Sequence, residues 1–530
     1  MRGIILIVLL FPFSVAAFPF AGGTLFESVT EYRQDAIDFD SAEKKFFRER
    51  VGILPSEKSS FNFSYLRTEK SDDRYTWNLV LGDVVRSSEF IIGNYYENYG
   101  AGLILGKKSS PDFDPFSSGI IISREKTFTP CKSGNPYFCF NGISAVCKKK
   151  FSGLIFSVNP FVSVRYRHIN DDDAEAGKTD QNLSTLTTKI DKKPGAGEPV
   201  KIMDAGMMLG LSKNEHFKSE AYFFHTDIVS HSGEEVLLNY TRGYDCFYAE
   251  KDYSAMGLYC RYEDDCVKLF FEIGIPRRTI RTEQGTKTAG DAAVLYGMRY
   301  RNNAFCLSIK GKETGNDFYS PYSSGYCGPE KTFMIYSHAR LTQNILLGAV
   351  LINQNKLYGE TAPSSIAVNK EKIFLMYRFS DIEKITLALR RLEENSGTGV
   401  SEKIQYKFHC RKKISECIHI TLKGIVQDSN RDEISWLAGI GLRCTIRNIV
   451  FFSCGYERYE ISGKNYLYSA SAPFPDSITR GFFAYETMNV ITAKLSCRYG
   501  GNFFLAGYGV RFAGEKILQH RMELLCRVLF

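Results

Sequence analysis

Tryptophan is nearly absent, with 2 residues in 530, and beyond residue 15 no stretch of the chain is continuously apolar for 18 residues. The second absence excludes a membrane-spanning helix in the body of the chain. It leaves two options: a soluble exported chain, or one that crosses a membrane as strands. The sequence also lacks Gly-x-Ser-x-Gly, His-Glu-x-x-His and a Walker loop. The 8 histidines are scattered. His338, His409 and His419 fall on polar faces of predicted strands, where a lumen histidine bonded to neighbours or water is the plain reading. A Ser–His couple would need an oriented third group, and none can be pointed to. No Cys-x-x-Cys or Cys/His set has zinc spacing. The expectation is therefore a protein that is not an enzyme and needs no cofactor and no metal. The net charge of +8 comes from 67 basic and 59 acidic residues without a dense Lys/Arg tract, which argues against a nucleic-acid partner. Nor does a linker rich in Pro, Gly or Ser divide the chain into the several soluble domains its length would otherwise suggest.

What the chain has in abundance is Phe (40), Tyr (31) and Gly (44). Its strand-like segments recur from about Phe61 to the end. Val267, Leu269, Phe271, Ile273 and Ile275 alternate with Lys268, Phe270, Glu272 and Gly274. Ile404, Tyr406, Phe408 and Cys410 alternate with Gln405, Lys407, His409 and Arg411. Ile418, Ile420 and Leu422 alternate with His419, Thr421 and Lys423. Period two with one apolar face is a half-buried strand. A mean hydropathy of −0.20 suits strands with one face in water.

The connections discriminate further. Very short polar turns stand at Lys213-Asn214-Glu215, Glu263-Asp264-Asp265, Arg301-Asn302-Asn303, Thr342-Gln343-Asn344, Lys412-Lys413, Arg447-Asn448 and Gly500-Gly501-Asn502. Mostly longer loops lie between them: 170–200, 229–254, 310–330, 353–369 and 462–479. Short turns on one side and long loops on the other are the signature of an outer-membrane barrel, and tracing back from Phe530 puts every short turn on the periplasmic side. The predicted fold is an all-β transmembrane antiparallel barrel of about 22 strands, within roughly 18 to 24. Closure is required because an open sheet edge in lipid leaves backbone groups unpaired.

Both chain ends agree. Arg2, the apolar run Ile4 to Val15 and the small residues Val15-Ala16-Ala17 read as a signal peptide over residues 1–17. Residues 18–59 are expected to form a short periplasmic segment, and residues 60–530 the barrel. At the other end Met522, Leu524, Cys526, Val528 and Phe530 make one face of a final strand. A terminal aromatic preceded by alternating apolar residues resembles the closing strand of Gram-negative outer-membrane barrels, which the barrel-insertion machinery reads. Location in the outer membrane and contact with its lipid follow as expectations.

Around residue 100 a second resemblance appears. Ile92-Gly93-Asn94-Tyr95 is followed by Tyr99-Gly100-Ala101-Gly102-Leu103-Ile104-Leu105-Gly106. This resembles a segment of a family of bacterial outer-membrane barrel proteins in which Gly-Asp-Tyr precedes Phe-Gly-Gln-Gly-Leu. Ser118-Gly119-Ile120 and Asn135 to Gly142 fall where that family has a Gly-Ile turn and an aromatic-Arg-Gly strand start. Asn94, Tyr99 and Ala101 replace the family's Asp, Phe and Gln. The helix-hairpin-helix repeats that precede many of those barrels are missing here. The resemblance implies architecture and location, not an activity. With Pro111, Pro115, Pro130 and Pro136 nearby, residues 97–137 read as irregular. Irregular backbone at membrane depth must be covered by protein or lumen water. The segment is therefore expected to fold inward as a constriction or plug at Gly93, Asn94, Tyr99, Gly100 and Gly102, with an ordinary outer loop as the alternative.

The 14 cysteines of an exported chain suggest disulfides. Cys131, Cys139 and Cys147 are close in sequence, and Cys260/Cys266, Cys410/Cys417 and Cys444/Cys454 flank turns. The alternative is that they are small apolar wall residues. Finally, Lys268, Arg340, Arg378, Lys407, Arg411 and Lys423 are expected to face the lumen, and Lys/Arg rings favour anions. The functional expectation is a pore or passive transporter for small polar solutes, anions among them. Two alternatives are a non-conducting barrel that displays its loops and a secreted soluble β protein.

Overall fold

The computed structural model describes Leu25 to Leu529 except residues 37–43, 57–58, 69–70, 83–87, 98, 106–127, 132–138, 169–198, 215, 231–237, 243–244, 283–284, 317, 319–329, 359–363, 381–382, 397–398, 430–432, 448, 463–466, 470–481, 485, 500–501 and 515. The expected leader, residues 1–17, and the terminal Phe530 lie outside the described residues.

Among the described residues every regular element is a strand. The first nine are β1 (Leu25–Ala36), β2 (Lys44–Ser56), β3 (Ser59–Thr68), β4 (Ser71–Gly82), β5 (Ser88–Glu97), β6 (Phe128–Pro130), β7 (Phe140–Phe151), β8 (Leu154–His168) and β9 (Pro199–Lys213). Then come β10 (Phe217–Ser230), β11 (Leu238–Arg242), β12 (Asp245–Glu263), β13 (Val267–Thr282), β14 (Gly285–Ala289), β15 (Ala293–Arg301), β16 (Phe305–Thr314), β17 (Glu330–Arg340), β18 (Ile345–Tyr358) and β19 (Ser364–Arg378). The last ten are β20 (Lys384–Ser396), β21 (Gly399–Lys413), β22 (Ile418–Ser429), β23 (Glu433–Ile446), β24 (Val450–Glu460), β25 (Leu467–Ser469), β26 (Phe482–Ala484), β27 (Met488–Tyr499), β28 (Asn502–Ala513) and β29 (Lys516–Leu529).

Successive strands pair antiparallel, and β1 pairs β29 from Glu27↔Leu529 to Ala36↔His520, so the sheet closes on itself. Twenty-four strands form the ring. Short β6, β11 and β14 add to β5, β12 and β13, while β25 and β26 pair only with each other. The strands expected from residue 60 onward are all present. The ring is two strands larger because residues 18–59, expected as a periplasmic segment, include β1 and β2. Their period is faint in the sequence, where Phe46-Phe47 and Ile53-Leu54 interrupt the alternation. Partners on either side supply the register instead.

Alternation sorts the wall into two faces. On β13, Leu269 and Phe271 are 40% and 42% exposed, whereas Phe270 and Glu272 are 4% and 0% exposed. The exposed set continues around the ring through Met207, Phe223, Leu351, Leu389, Phe408 and Leu495. This is a lipid-facing belt, and the soluble secreted alternative has no place for it. Next to the short turns Phe151, Phe217, Tyr262, Tyr300, Tyr377 and Tyr499 are exposed on the same face, where aromatic girdles meet the membrane–water interface. Met522, Leu524 and Cys526 stand opposite Tyr508, Ala506 and Phe504, and so share this outer face with Tyr508 and Phe504.

The expected turns at 263–265, 301–303 and 342–344 are where the sequence places them, each closed by a local polar device; Lys412-Lys413 end β21, and residues 215, 448, 500 and 501 of the other three turns lie outside the described residues. Asp264 Oδ1 accepts from Cys266 and Val267 N–H at 2.8 and 2.6 Å, and Asn302 Oδ1 accepts from Ala304 and Phe305 N–H at 2.9 and 2.7 Å. Thr342 Oγ1 does the same for Asn344 and Ile345. The longer loops are partly strand: Asn353↔Asn369 to Tyr358↔Ser364 extends the β18–β19 ladder, and β11 pairs with an extended β12 inside 229–254. Polar residues there read as loop because their ladders stand clear of the apolar belt.

Candidate functional site

The site begins at a break in the wall. The β4–β5 ladder runs from Gly82↔Glu89 to Asn78↔Gly93, and beyond Gly93 β6 takes the edge of β5 at Tyr95↔Pro130. Gly93 has φ +100°, and a Cβ there would collide with the Trp77 carbonyl oxygen. The Asn94 side chain completes the break, since its Oδ1 accepts from Trp77 N–H at 3.0 Å in place of a ladder bond. Behind it, Asn62 Nδ2 donates to Asn78 Oδ1 at 3.0 Å, and Asn78 Nδ2 donates to the Cys131 carbonyl at 2.9 Å. Buried amides must be satisfied in this way.

Residues Tyr99 to Leu105 then turn inward and pack on the inner wall. Tyr99 N–H donates to the Leu105 carbonyl at 3.1 Å and Gly102 N–H to the Tyr99 carbonyl at 3.1 Å, which closes a compact loop. Tyr99 and Ile104 are 0% exposed. They join a core of inward-facing aromatic side chains: Tyr99 lies 6.0 Å from Phe161 and 5.7 Å from Tyr222 between ring centroids. The Tyr99 hydroxyl donates to Asn159. Two buried carboxylates hold the loop backbone. Gly100 N–H donates to Glu220 Oε2 at 3.1 Å, and Ala101 and Leu103 N–H donate to Glu272 Oε2 at 2.7 and 3.4 Å. Tyr222 OH donates to Glu272 Oε1 at 2.7 Å, and Lys218 pairs with Glu220. Charge-assisted bonds of this kind are the strong ones.

Of the expected constriction residues, Gly93 and Asn94 thus form the break, and Tyr99, Gly100 and Gly102 the inward loop. Within 97–137 the structure describes residues 97, 99–105 and 128–131. Glu220, Tyr222 and Asn159, which receive the loop, escaped sequence reasoning. The available signal was an acid at an inward position between aromatic and small residues, such as Glu272 between Phe270 and Gly274.

The expected lumen cations all fall on the inner face. Directly opposite residues share a face, and Glu272↔Leu295↔Lys312↔Thr332↔Gln354↔Val368↔Glu394↔Ser401 carries the parity from β13 to β21 without a slip. Their surroundings differ. Lys268 and Arg261 pair with Glu263, and Lys423 pairs with Glu457. Further cations on the same inner face are also paired: Arg165 with Asp204 at 2.7 Å and Lys312 with Glu330 at 3.5 Å. Among the described residues Arg340, Arg378, Lys407 and Arg411 have no carboxylate at ion-pair distance. The inner face from β4 to β15 carries the large buried core, while that of β20 and β21 is only half-buried.

Cysteine plays no crosslinking part at the expected turn-flanking pairs: Cys260, Cys266, Cys410, Cys417, Cys444 and Cys454 are all thiols. Among the described residues no three His, Cys, Asp or Glu side chains gather as a metal would require.

No family model matches the chain, and no curated protein matches its sequence. Solved structures do match. The siderophore receptor PirA from Pseudomonas aeruginosa is 8% identical over 97% of this chain and 81% of that one, with a TM-score of 0.50. The ferric enterobactin receptor PfeA of the same organism is 7% identical over 96% and 81%, with a TM-score of 0.48. The P pilus usher PapC translocation pore is 8% identical over 96% and 99%, with a TM-score of 0.43. At these identities the likeness is one of fold. The likeness to PirA, together with the closed ring and its apolar belt, defines the class: a transmembrane antiparallel β-barrel of the outer-membrane type.

Proposed function

We propose that the protein is a bacterial outer-membrane pore for small polar solutes, anions among them. The loop Tyr99–Leu105 narrows one side of its lumen, and the basic wall of β19–β21 lines the path. The observation that carries this reading is a set of inner-face cations without a carboxylate partner among the described residues. On the side that holds the loop Arg165, Lys218, Arg261, Lys268 and Lys312 are paired with carboxylates, whereas Arg299 and Arg301 of β15 have none among the described residues. On β19–β21 Arg378, Lys407 and Arg411 have no such partner among the described residues. A lumen wall with uncompensated Lys and Arg favours anions.

Residues 1–17 would direct export, and Met522, Leu524, Cys526, Val528 and Phe530 would be read by the barrel-insertion machinery. The test has two stages. The mature chain, refolded in detergent, should run faster unboiled than boiled on an SDS gel. In a planar bilayer under a KCl gradient it should then conduct, with a reversal potential on the anion-selective side. A folded barrel with no conductance would overturn the pore and favour the display barrel.

A further inference from the structure

Arg378, Lys384 and Arg411 stand directly opposite one another on three successive strands. Arg378 pairs with Lys384 across β19–β20, and Lys384 with Arg411 across β20–β21. All three are on the inner face, at the short-turn end of the lumen. Directly opposite residues have Cβ atoms about 5 Å apart, and like charges in that position repel. The fold therefore holds three cations together at a cost. The carboxylate nearest in sequence does not relieve it: Glu383 turns to Lys412 Nζ at 3.1 Å and to the Lys413 N–H at 3.2 Å. Glu457, the inward acid further along the wall, pairs with Lys423. The same-face neighbours Met376, Thr386 and Thr421 carry no charge, and the other charged neighbours are basic. Lys384, Lys423 and Arg411 all act electrostatically on His409, and Arg443 acts on Arg411. On the other side of the same mouth, Arg261 and Lys268 have Glu263 between them. Lys268 stands opposite Arg299 there, but with the Glu263 carboxylate beside it.

We infer that Arg378, Lys384 and Arg411 form a binding site for a multivalent oxyanion at the turn-side mouth of the lumen. Two guanidinium forks can each take two oxygens of such an anion, and the lysine between them adds a mobile point charge. A monovalent anion would leave the row net positive, whereas an anion with several charges neutralises it. Lys407 lies four residues up the same inner face from Arg411, so the site opens onto the basic wall.

The inference deepens the pore reading, and its test keeps the two apart. Full mature chain refolded in detergent, its closure checked by heat-modifiable mobility, is titrated calorimetrically with sodium pyrophosphate and, separately, with citrate. The wild type should bind at least one of them, more weakly as NaCl rises because such contacts are screened. The ranking of the two tells phosphoryl from carboxylate chemistry. The triple variant Arg378→Gln/Lys384→Gln/Arg411→Gln relieves repulsion and should fold. It should lose about tenfold or more in affinity, as expected for lost charge-assisted contacts. Arg261→Gln/Lys268→Gln should leave affinity unchanged. Equal affinity in wild type and triple variant, or no binding by a closed wild-type barrel, would overturn the site. Bilayer conductance is recorded on the same samples. Conductance without binding leaves the pore and sinks the site; binding without conductance leaves the site and sinks the pore.

Discussion

Glu272 concentrates more of the site than any other residue. One buried carboxylate accepts two loop N–H groups and the Tyr222 hydroxyl. Removing it strands those donors, at about 1–3 kcal/mol for each buried group left unsatisfied. Glu272→Ala should therefore release Tyr99–Leu105, seen as faster proteolysis near residue 100 with heat-modifiable mobility retained. Glu272→Gln keeps an acceptor oxygen and should fall between. Unchanged proteolysis in Glu272→Ala would refute the cradle. Gly100 makes a second prediction. Its φ is +57°, and an added Cβ would lie 2.7 Å from the Glu272 carboxyl carbon. The left-handed conformation alone costs an L residue roughly 1–2 kcal/mol, so Gly100→Ala should loosen the same loop. Gly93→Ala should do worse, because there the collision is with backbone, which cannot swing away. Its readout is a lower refolding yield. Sequence patterning singled out both glycines, but their partners, Trp77 and Glu272, lie on other strands and were invisible to it.

At the scale of elements the short turns carry a pH prediction. Backbone N–H bonds from Val267 and Cys266 hold the Asp264 carboxyl below its usual value, and the bond from Lys412 does the same for Glu383. A carboxyl depressed in the folded state contributes stability above its unfolded value, near 4, and loses it as pH falls through the depressed folded value. Both groups are exposed, so the effect is local. Amide exchange at Cys266 and Val267, corrected for intrinsic rate, should stay slow through pH 4 and speed up only below the ordinary carboxylate range. Acceleration beginning above the ordinary range would contradict the assignment. These turns were legible because Asp, Asn, Thr and Ser close turns with their own side chains, a device a few residues long. The outer ends of β11, β12, β18 and β19 were not legible. Above the membrane both faces meet water, and the apolar alternation that marks a strand fades.

The whole molecule depends on closure. If β1 and β2 complete the wall, deleting residues 18–56 leaves β3 and β29 as open edges in lipid, each unpaired backbone group costing several kcal/mol. The truncated chain should then show identical boiled and unboiled mobility; a retained shift would mean that β3 and β29 can close the ring by themselves. The sequence by itself determined which residues meet lipid, which side bears the short turns, and that the chain from residue 60 is a succession of hairpins. Period-two alternation and turn chemistry are local, and a one-residue slip would expose a whole polar face. Only the tertiary structure decided that β1 meets β29, that Glu220 and Glu272 catch a loop some 120 and 170 residues earlier in the chain, and that Lys268 has a carboxylate whereas Arg378 and Arg411 have each other's company through Lys384. Those pairings arise where the closed ring brings distant strands to one interior, a distance that no pattern along the chain can encode.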